Sequence, residues 1–252
     1  MPDIEVAVLY PELLGLYADR GNALAFRHRA ARHGFDVHTV EIHPGEAIPS
    51  SADLYLLGGA EDAAQTVSLS LLRDQPGLTQ AVERGAQVLA VCAGFQILGR
   101  SFVGHDGQPL AGLGFLDVVS GRLEHARAVG EIMVDSPDAG EIQGFENHRG
   151  ETKLGPAAKP LGTVRVGIGN GPDGVEGAIQ DNIVATYLHG PVLARNPALS
   201  DLLLTRITGK TLEPLVDPLI EKFRAERRRE NLREARREAR RDGSWLRRLR
   251  RR

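Results

Sequence analysis

The stretch "QVLAVCAGFQILG", residues 87–99, contains the only cysteine in this chain of 252 residues. Its first half is a short apolar run typical of a buried strand, and its second half repeats apolar residues at helical spacing. A strand that turns directly into a helix is typical of parallel sheets with covered faces. The turn then lies at the carboxyl edge of the sheet, where such proteins place ligands and nucleophiles. The stretch therefore predicts an α/β fold with Cys92 at the functional edge.

Strand and helix patterns alternate on both sides of this stretch. The predicted strands of the sheet are 4–11, 35–42, 52–59, 87–92 and 182–190. The predicted helices are 19–34, 63–85 with an interruption at Pro76-Gly77, 93–102 and 197–209. This alternation predicts a mostly parallel sheet with helices on both faces. After Gly107 the pattern changes to apolar strands joined by Gly, Pro and Asp turns. That change predicts an antiparallel β-rich segment within the same α/β domain.

The composition excludes several classes of protein. Apolar residues make up 42% of the chain and charged residues 25%, as in ordinary soluble globular proteins. A single cysteine excludes a disulfide framework and favours a reducing compartment. The first residues carry Asp3 and Glu5 instead of a basic segment, and no stretch approaches the roughly 20 apolar residues of a membrane span. We therefore expect a cytoplasmic protein.

The net charge of −2 conceals a strong asymmetry. Residues 222–252 hold 15 Lys or Arg and 5 Asp or Glu, whereas the rest of the chain holds the other 16 and 28. We therefore divide the chain into a domain, 1–220, and a basic tail, 221–252, that is either helical or disordered. The tail is a solvated segment, a contact to an anionic membrane through arginines beside Trp245 and Leu249, or a contact to a partner. The acidic body argues against nucleic acid as that partner.

Cys92 is the candidate nucleophile. The N-terminus of the following helix carries a partial positive charge, which favours the thiolate. The N–H of Ala93 is free at this helix end and can stabilise an oxyanion. The alternative is a buried and inert cysteine, which is common in proteins.

A thiol nucleophile needs a base, and His189 is the candidate among eight histidines. It ends one apolar strand as Cys92 ends another, so two sheet strands could bring them together. The alternative is a structural histidine at a strand end. Gly58 and Gly59 end a third apolar strand, and glycines there offer an unhindered N–H as the second oxyanion donor. A tight turn between strand and helix explains them equally well.

The stretches "LLGGAED" (56–62), "VLAVCAGFQILG" (88–99) and "TYLHGP" (186–191) together resemble the class I, triad-type glutamine amidotransferases. These enzymes have a flavodoxin-like α/β fold. Within the class, the chain is most similar to the cobyric-acid-synthase-like branch and to the glutaminase subunits of lipid II isoglutaminyl synthases. The narrower similarity rests on four further stretches. They are "LYADRGN" (16–22), "GFENHRG" (144–150), "GNGPDGVEGA" (169–178) and "ATYLHGPVLARNP" (185–197).

The resemblance implies a catalytic mechanism for four residues. Cys92 attacks the side-chain amide of glutamine, and His189 takes the thiol proton and passes it to the leaving ammonia. The N–H groups of Ala93 and Gly59 hold the oxyanion. Water then hydrolyses the glutamyl thioester.

The resemblance also implies the substrate-binding residues. Gln96 and Arg127 match family positions that contact glutamine, and a guanidinium is suited to the α-carboxylate. A solvated arginine at a strand end is the alternative for Arg127. Asp19 matches an acidic family position, although a helix N-cap explains it as well. No metal site is implied.

A partner enzyme is implied as well. The chain lacks a phosphate-binding loop of the form GxxxxGK[ST], so we expect no cofactor in this chain. Ammonia would pass to a Mur-ligase-like subunit that binds ATP and Mg²⁺. This heterodimer would convert the D-glutamate of lipid II to D-isoglutamine at the inner face of the plasma membrane. The alternatives are ammonia supply to another ligase, and an inactive glutaminase-like subunit that only regulates its partner.

Two departures from the family pattern matter for the site. Many class I glutaminases carry a glutamate two residues after the catalytic histidine, but here Gly190 and Pro191 follow His189. The cobyric-acid-synthase-like branch also lacks that glutamate, and Glu146 is a candidate to orient His189 instead. The loop 60–62 is less rich in glycine than usual. We therefore expect that a partner helps to shape the oxyanion hole.

Overall fold

The computed structural model describes residues 3–15, 19–124 and 127–241, with the side chains of 238–241 excepted. Residues 16–18 of the "LYADRGN" stretch and the tail residues Trp245 and Leu249 lie outside the described residues.

Within these residues the chain forms 14 strands and seven helices. The strands are β1 (Asp3–Leu9), β2 (Asp36–Ile42), β3 (Leu54–Leu57), β4 (Gln87–Val91), β5 (Ser101–Val103), β6 (Pro109–Ala111), β7 (Val118–Arg122), β8 (Ala128–Ser136), β9 (Gly140–His148), β10 (Gly150–Leu154), β11 (Gly162–Val166), β12 (Val175–Glu176), β13 (Ala178–Gln180) and β14 (Ile183–Thr186). The helices are α1 (Arg20–Arg32), α2 (Asp62–Arg73), α3 (Pro76–Glu83), α4 (Ala93–Leu98), α5 (Val192–Arg195), α6 (Pro197–Thr208) and α7 (Pro218–Arg241).

A six-stranded sheet forms the centre of the fold, in the order β13-β14-β4-β3-β1-β2. Five strands run parallel, and β13 pairs antiparallel with β14 at one edge. The inner strands β3, β4 and β14 are buried along their whole length, as expected for a sheet covered on both faces. The predicted mostly parallel α/β sheet is therefore confirmed.

The helices flank this sheet in two packing groups, α1 with α5 and α6, and α2 with α4. Helices α1 and α6 agree with the sequence patterns, and α2 and α3 divide the predicted helix 63–85 at Pro76. Helix α5 was not predicted, and α4 was expected to continue to residue 102. Instead α4 ends at Leu98, and Gly99 adopts an extended conformation. Residues 101–103 then pair as β5 with β6 and β7. Strand pairing in the adjoining sheet thus overrides the helical pattern.

The β-rich segment forms two four-stranded sheets, which confirms the predicted antiparallel region. One sheet has the strand order β10-β7-β5-β6 and the other β12-β11-β8-β9. The second is antiparallel throughout, and β8 and β9 pair along nine residues each. The chain then returns to the central sheet through β13 and β14. The two smaller sheets, of which β10-β7-β5-β6 is mixed because β5 and β7 pair in parallel, are therefore inserted along the chain between β4 and β13 of the central sheet.

The basic C-terminal segment is helical as far as residue 241, where helix α7 ends. The helix packs against β8 and β11. Arg227 pairs with Glu131 at 2.8 Å, and Arg224 donates to the backbone oxygen of Glu141 at 2.5 Å. The inner face of α7 is thus fixed to the antiparallel sheet. Its division from the domain at residue 221 stays a prediction. No helix within the described ranges has the length and apolar character needed to cross a membrane.

Candidate active site

Cys92 lies at the junction of β4 and α4, with φ of +52° and ψ of −102°. A positive φ is uncommon for a residue other than glycine, and it marks the sharp turn that exposes a nucleophile at a strand end. The Cys92 N–H donates to the carbonyl oxygen of Thr186 at 2.8 Å, and the residue is 7% exposed. The N–H of Ala93 donates to the Cys92 sulfur. The junction therefore holds the sulfur at the carboxyl edge beside a backbone donor.

Cys92 and His189 follow neighbouring strands. β4 and β14 pair in parallel with Val91 opposite Thr186, so the two chain segments leave the sheet side by side. Phe145 and His189 exchange backbone hydrogen bonds of 3.1 and 2.8 Å, which fix the backbone of the buried histidine against β9. The tertiary structure thus brings the candidate nucleophile and the candidate base to one edge of the sheet.

Burial controls the protonation of both groups. Together with the negative charge of Asp19, it raises the pKa of the Cys92 thiol to about 12. Burial and the charges of His148 and Arg127 lower the pKa of His189 to about 4. At neutral pH the free chain therefore holds a neutral thiol and a neutral imidazole. The Ala93 N–H at the helix N-terminus lowers the pKa of Cys92, as expected, but burial outweighs it and the free chain keeps the thiol protonated.

Sequence reasoning missed a second buried histidine at this edge. His148 stacks on Tyr187, with ring centroids 3.8 Å apart and an interplanar angle of 12°. Its Nδ1 lies 3.0 Å from the Gly150 carbonyl oxygen, which requires a proton on that nitrogen. Its Nε2 lies 3.7 Å from the carboxylate of Glu146. Glu146 and His148 lie on the same buried face of β9, two residues apart. This period of two in the sequence could have indicated that both side chains point to the same side.

Glu146, the candidate to orient His189, has two clear backbone partners. Its buried carboxylate accepts the N–H of Ile168 at 2.8 Å and that of Gly169 at 2.9 Å. The side chain therefore ties the loop after β11 to β9, next to His148. Its role toward His189 stays a prediction.

The predicted oxyanion donor Gly59 is engaged elsewhere. Its N–H donates to Asp19 Oδ2 at 2.8 Å, so this assignment holds only if that hydrogen bond breaks. Asp19 is the N-cap residue of α1, as the sequence indicated, but its side chain makes no capping hydrogen bond to that helix. Gly58 is required by close packing, because a Cβ there would lie 1.9 Å from the Leu14 carbonyl oxygen. The predicted oxyanion hole therefore lacks a free Gly59 N–H in this structure.

Substitution of Asp19 by asparagine tests this arrangement. Asp19→Asn removes a negative charge that raises the pKa of Cys92, while the amide oxygen can still accept the Gly59 N–H. We expect iodoacetamide to alkylate the variant faster at mildly alkaline pH, by about ten-fold for each unit by which the pKa of Cys92 falls. Both proteins should react equally when denatured in urea, which is the control. An unchanged rate in the folded variant would contradict the proposed influence of Asp19.

A cavity of about 130 Å³ opens beside Cys92, and both predicted substrate-binding residues, Gln96 and Arg127, line it. The walls carry charges of both signs. The charged residues are Glu61, Asp62, Arg122, Arg127 and Arg149. The exposed Arg127 donates from Nε to Asn147 Oδ1 at 2.6 Å. The cavity therefore combines guanidinium and carboxylate groups next to the sulfur.

Gln96 is held in a hydrogen-bond network. It accepts from Gln65 at 2.7 Å and donates to the Tyr187 hydroxyl at 3.1 Å, and that hydroxyl lies 2.6 Å from the hydroxyl of Thr152. A Cβ on Gly150 would lie 2.2 Å from Gln96 Nε2, so the network needs glycine there. The network makes Gln96 a fixed wall of the cavity. Its contact with substrate stays a prediction.

Glu176 on β12 is a further residue that sequence reasoning missed, although it lies in the quoted stretch "GNGPDGVEGA". It is fully buried, and its Oε1 accepts the Thr186 hydroxyl at 3.0 Å and the Tyr187 N–H at 2.6 Å. Thr186 also accepts the N–H groups of Leu188 and Cys92. Burial raises the pKa of Glu176 to about 8. The mostly neutral carboxyl group of Glu176 therefore fixes, through hydrogen bonds, the end of β14 that leads to the site.

This carboxyl group predicts a pH dependence of stability. The folded chain keeps the Glu176 proton up to about pH 8, whereas the unfolded chain loses it near the ordinary pKa of 4.5. The contribution of the group to stability is thus full below the lower value and lost as pH rises through the higher. Glu176→Gln cannot ionise, so its free energy of unfolding should rise relative to wild type across this window, by at most about 1.4 kcal/mol per pH unit. Urea unfolding measures this, and a constant difference would contradict it.

The fold and this site define a glutamine amidotransferase. A crystal structure of a glutamine amidotransferase has the same fold, with a TM-score of 0.56 at 19% identity, and covers 81% of this chain and 98% of that one. The glutaminase domain of Trypanosoma brucei CTPS with bound acivicin has a TM-score of 0.51 at 10% identity and covers 82% and 95%. Residues 5–197 match the family model of the CobB/CobQ-like glutamine amidotransferase domain. The chain belongs to this family.

Individual relatives narrow the comparison. The lipid II isoglutaminyl synthase (glutamine-hydrolyzing) subunit GatD of Staphylococcus aureus is 36% identical over 209 residues, covering 82% of this chain and 85% of that protein. GatD of Streptococcus pneumoniae is 34% identical over 210 residues, covering 80% and 79%. A cobyric acid synthase of Methylobacterium nodulans is 36% identical over 160 residues, covering 61% and 32%. The predicted resemblance to these groups, and with it the prediction of a glutamine amidotransferase, is confirmed.

Proposed function

We propose that this chain is the glutaminase subunit of a lipid II isoglutaminyl synthase. It hydrolyses glutamine through a thioester on Cys92 and delivers ammonia to a Mur-ligase-like partner. The observation that carries the proposal is the sharp turn at Cys92, beside a strand that leads to His189. Similarity to two GatD proteins along about four fifths of each chain supports the lipid II assignment.

The chemistry begins from a neutral thiol and a neutral imidazole. The Cys92 sulfur attacks the side-chain carbonyl carbon of glutamine while His189 accepts the thiol proton. The carbonyl oxygen becomes an oxyanion near the Ala93 N–H. The C–N bond then breaks, and His189 returns the proton to the nitrogen, so ammonia leaves and a glutamyl thioester remains. Water hydrolyses the thioester to glutamate and restores the thiol.

The lowered pKa of His189 suits both halves of this cycle. A neutral imidazole is available to take the proton at neutral pH. Once protonated in its buried site, it is a strong acid and returns the proton readily to the leaving nitrogen. The raised pKa of Cys92 means that proton transfer accompanies the attack on the amide.

The charges of the cavity suit a free amino acid. Glutamine at neutral pH carries an α-carboxylate and an α-ammonium group. Arg127 and Arg149 offer guanidinium groups to the carboxylate, and Glu61 and Asp62 offer carboxylates to the ammonium. These pairings would orient the side-chain amide toward the sulfur of Cys92.

The partner is expected to supply everything that requires ATP. It would bind ATP and Mg²⁺, activate the D-glutamate carboxylate of lipid II and accept ammonia to form D-isoglutamine, within a heterodimer. The hydrogen bond from the Gly59 N–H to Asp19 supports dependence on such a partner, because docking could release that N–H. Ammonia supply to a different ligase is the second candidate function, and the similarity to cobyric acid synthases is the observation that favours it.

Location at the inner membrane face forms part of the proposal. Lipid II is a membrane lipid, and the excess of 15 basic over 5 acidic residues in 222–252 would attract the subunit to anionic headgroups. Truncation after Arg241 leaves α7 intact and should reduce sedimentation with vesicles that contain anionic lipid. Equal sedimentation of the full and truncated complexes would contradict the membrane contact.

The proposed function is tested by measuring glutamate release from glutamine, with and without a candidate Mur-ligase-like partner, and amide formation on lipid II. We expect release to rise when the partner is added, and amide to form only with ATP present. Amide formation on a corrinoid or another acceptor, instead of lipid II, would support the second candidate function. The absence of glutamate release from the assembled complex would show that the chain is an inactive binding subunit.

A further inference from the structure

A run of buried hydroxyl groups connects the β-rich segment to the active-site cavity. Ser120 on β7 and Thr152 on β10 lie opposite each other, and their hydroxyl oxygens are 2.7 Å apart. The Thr152 hydroxyl lies 2.6 Å from that of Tyr187, which in turn accepts a hydrogen bond from Gln96 at 3.1 Å. Ser120, Thr152 and Tyr187 are at most 3% exposed. Polar groups buried to this degree keep fixed partners, so the run holds one arrangement.

The partners of Gln65 fix which way the Gln96 amide faces. Gln65 Nε2 lies 3.4 Å from the Ala93 carbonyl oxygen, which can only accept a hydrogen bond. The same nitrogen lies 2.7 Å from Gln96, so the Gln96 atom that faces Gln65 is the oxygen, Oε1. Gln96 Nε2 then faces Tyr187 and donates to its hydroxyl oxygen. Both ends of the amide are therefore assigned by their neighbours.

The phenolic proton of Tyr187 has its acceptors on the other side of the oxygen. Because that oxygen already accepts from Gln96, its proton points away, to Thr152, with Ser120 as a further hydrogen-bonding neighbour. Burial raises the pKa of Tyr187 to about 12, so the phenol keeps this proton at neutral pH. The hydroxyl group thus presents a lone pair, and not its proton, to Gln96.

The ring of Tyr187 is held independently of its hydroxyl group. It stacks on His148 with ring centroids 3.8 Å apart, and its centroid lies 5.1 Å from that of Phe95. The Tyr187 N–H donates to the Glu176 carboxyl group at 2.6 Å. Removal of the hydroxyl oxygen would therefore leave the ring in place. The group that would lose a partner is Gln96 Nε2.

Gln96 stands one helical turn after the candidate nucleophile. Its backbone N–H donates to the Cys92 carbonyl oxygen at 3.1 Å, and both residues line the active-site cavity. A glutamine side chain has three rotatable torsions, and a ligand that had to order them would bind less tightly. The hydrogen bonds with Gln65 and Tyr187 order the side chain before a ligand arrives. One N–H of Nε2 is used by Tyr187, so the other is left for a ligand of the cavity.

We propose that the Tyr187 hydroxyl is a positioning group for substrate binding, because it fixes the Gln96 amide in the orientation that donates to glutamine in the cavity. Tyr187 makes no contact with the substrate in this role. The inference rests on the proposed function and on the predicted contact of Gln96 with glutamine. It adds Tyr187, and behind it Thr152, to the residues that determine the affinity of the site for its substrate.

Tyr187→Phe in the complete heterodimer tests this role. The substitution keeps the ring, so we expect the KM for glutamine to rise about ten-fold while kcat changes less than about two-fold, the pattern of lost uniform binding. Tyr55→Phe is the matched control. Tyr55 is equally buried, its hydroxyl donates to the Pro49 carbonyl oxygen, and neither of these residues lines the cavity. The control variant should keep both kinetic constants.

A double-mutant cycle separates positioning from a merely structural effect. Gln96→Ala should raise the KM for glutamine by itself. Adding Tyr187→Phe should then change the KM no further, because Tyr187 acts only through Gln96. Additive rises of KM in the double variant would overturn the proposal. A fall of kcat in Tyr187→Phe with KM unchanged would overturn it as well.

Thr152→Val serves as the test if Tyr187→Phe does not fold. Valine keeps the shape of threonine but removes the acceptor, so the phenolic proton can turn toward Gln96 and oppose the N–H there. We expect the KM for glutamine to rise about three-fold. An unchanged KM in Tyr187→Phe, or in Thr152→Val where it replaces that variant, overturns the role of Tyr187 alone. A wild-type complex that releases no glutamate overturns the proposed function itself.

Discussion

Cys92→Ala is expected to abolish glutamate release, with a loss of roughly 10⁴-fold or more, because removing the nucleophile of a covalent mechanism removes the whole two-step pathway. Cys92 is the only cysteine of the chain, so no other thiol can replace it. The substitution deletes one small buried atom group, and the hydrogen bond from residue 92 N–H to Thr186 involves only backbone. The fold should therefore persist.

Glutamate release by the heterodimer measures this effect, and thermal unfolding of the variant is the control for folding. Glutamine binding should be retained in Cys92→Ala, since the charged residues of the cavity are unchanged. The Cys92→Ser variant should be nearly as inactive, because a serine hydroxyl is a much weaker nucleophile without a thiol's acidity. Residual release within about ten-fold of wild type would contradict covalent catalysis by Cys92.

His189→Gln is expected to have the second largest effect, a loss of roughly 10³-fold in kcat, because no group then takes the thiol proton and returns it to ammonia. The matched control is His148→Gln. Both histidines are buried at the same edge, but His148 is held by Gly150 and stacked on Tyr187. We expect this control to lose only about ten-fold, through altered packing beside the site.

The pH profile gives the same prediction a second readout. The base must be neutral to accept a proton, and burial lowers the pKa of His189 to about 4. Glutamate release should therefore stay high as pH falls through the range in which an ordinary histidine titrates, and should decline only near pH 4. A decline centred near the ordinary value of 6.5 would show that His189 is not held in the buried neutral state described above. Equal losses in the two histidine variants would contradict the assignment of His189 as the base.

The main features of the fold and of the site could be predicted from local patterns. Apolar runs of strand length that end at Gly58, Cys92 and His189 indicated three parallel strands with their carboxyl ends together. The structure has these strands as neighbours, β3, β4 and β14. The prediction succeeded because burial on both faces produces continuous apolar runs, and such runs are visible without tertiary contacts. The predicted length of α4 was wrong, because residues 101–103 pair with β7, a strand that lies farther along the chain.

His148 and Glu176 illustrate why part of the site could not be predicted. Each is a polar residue in a β-rich segment, where an exposed position is the ordinary expectation. Their burial results from packing on Tyr187 and on the end of β14. The residues next to His148 and Glu176 in the sequence give no sign of these contacts, apart from the alternation of buried and exposed residues along β9.

The sequence by itself determined which groups end the apolar runs. One run ends in glycines, one in a thiol and one in an imidazole, and all three lie in a domain recognisable by its motifs. Only the tertiary structure decided the state of those groups. The N–H of Gly59 is engaged by Asp19, 40 positions earlier, and the pKa values of Cys92 and His189 are shifted by burial. The physical reason is that apolar periodicity is a local property, whereas desolvation and hydrogen-bond partners depend on segments that meet only when the chain folds.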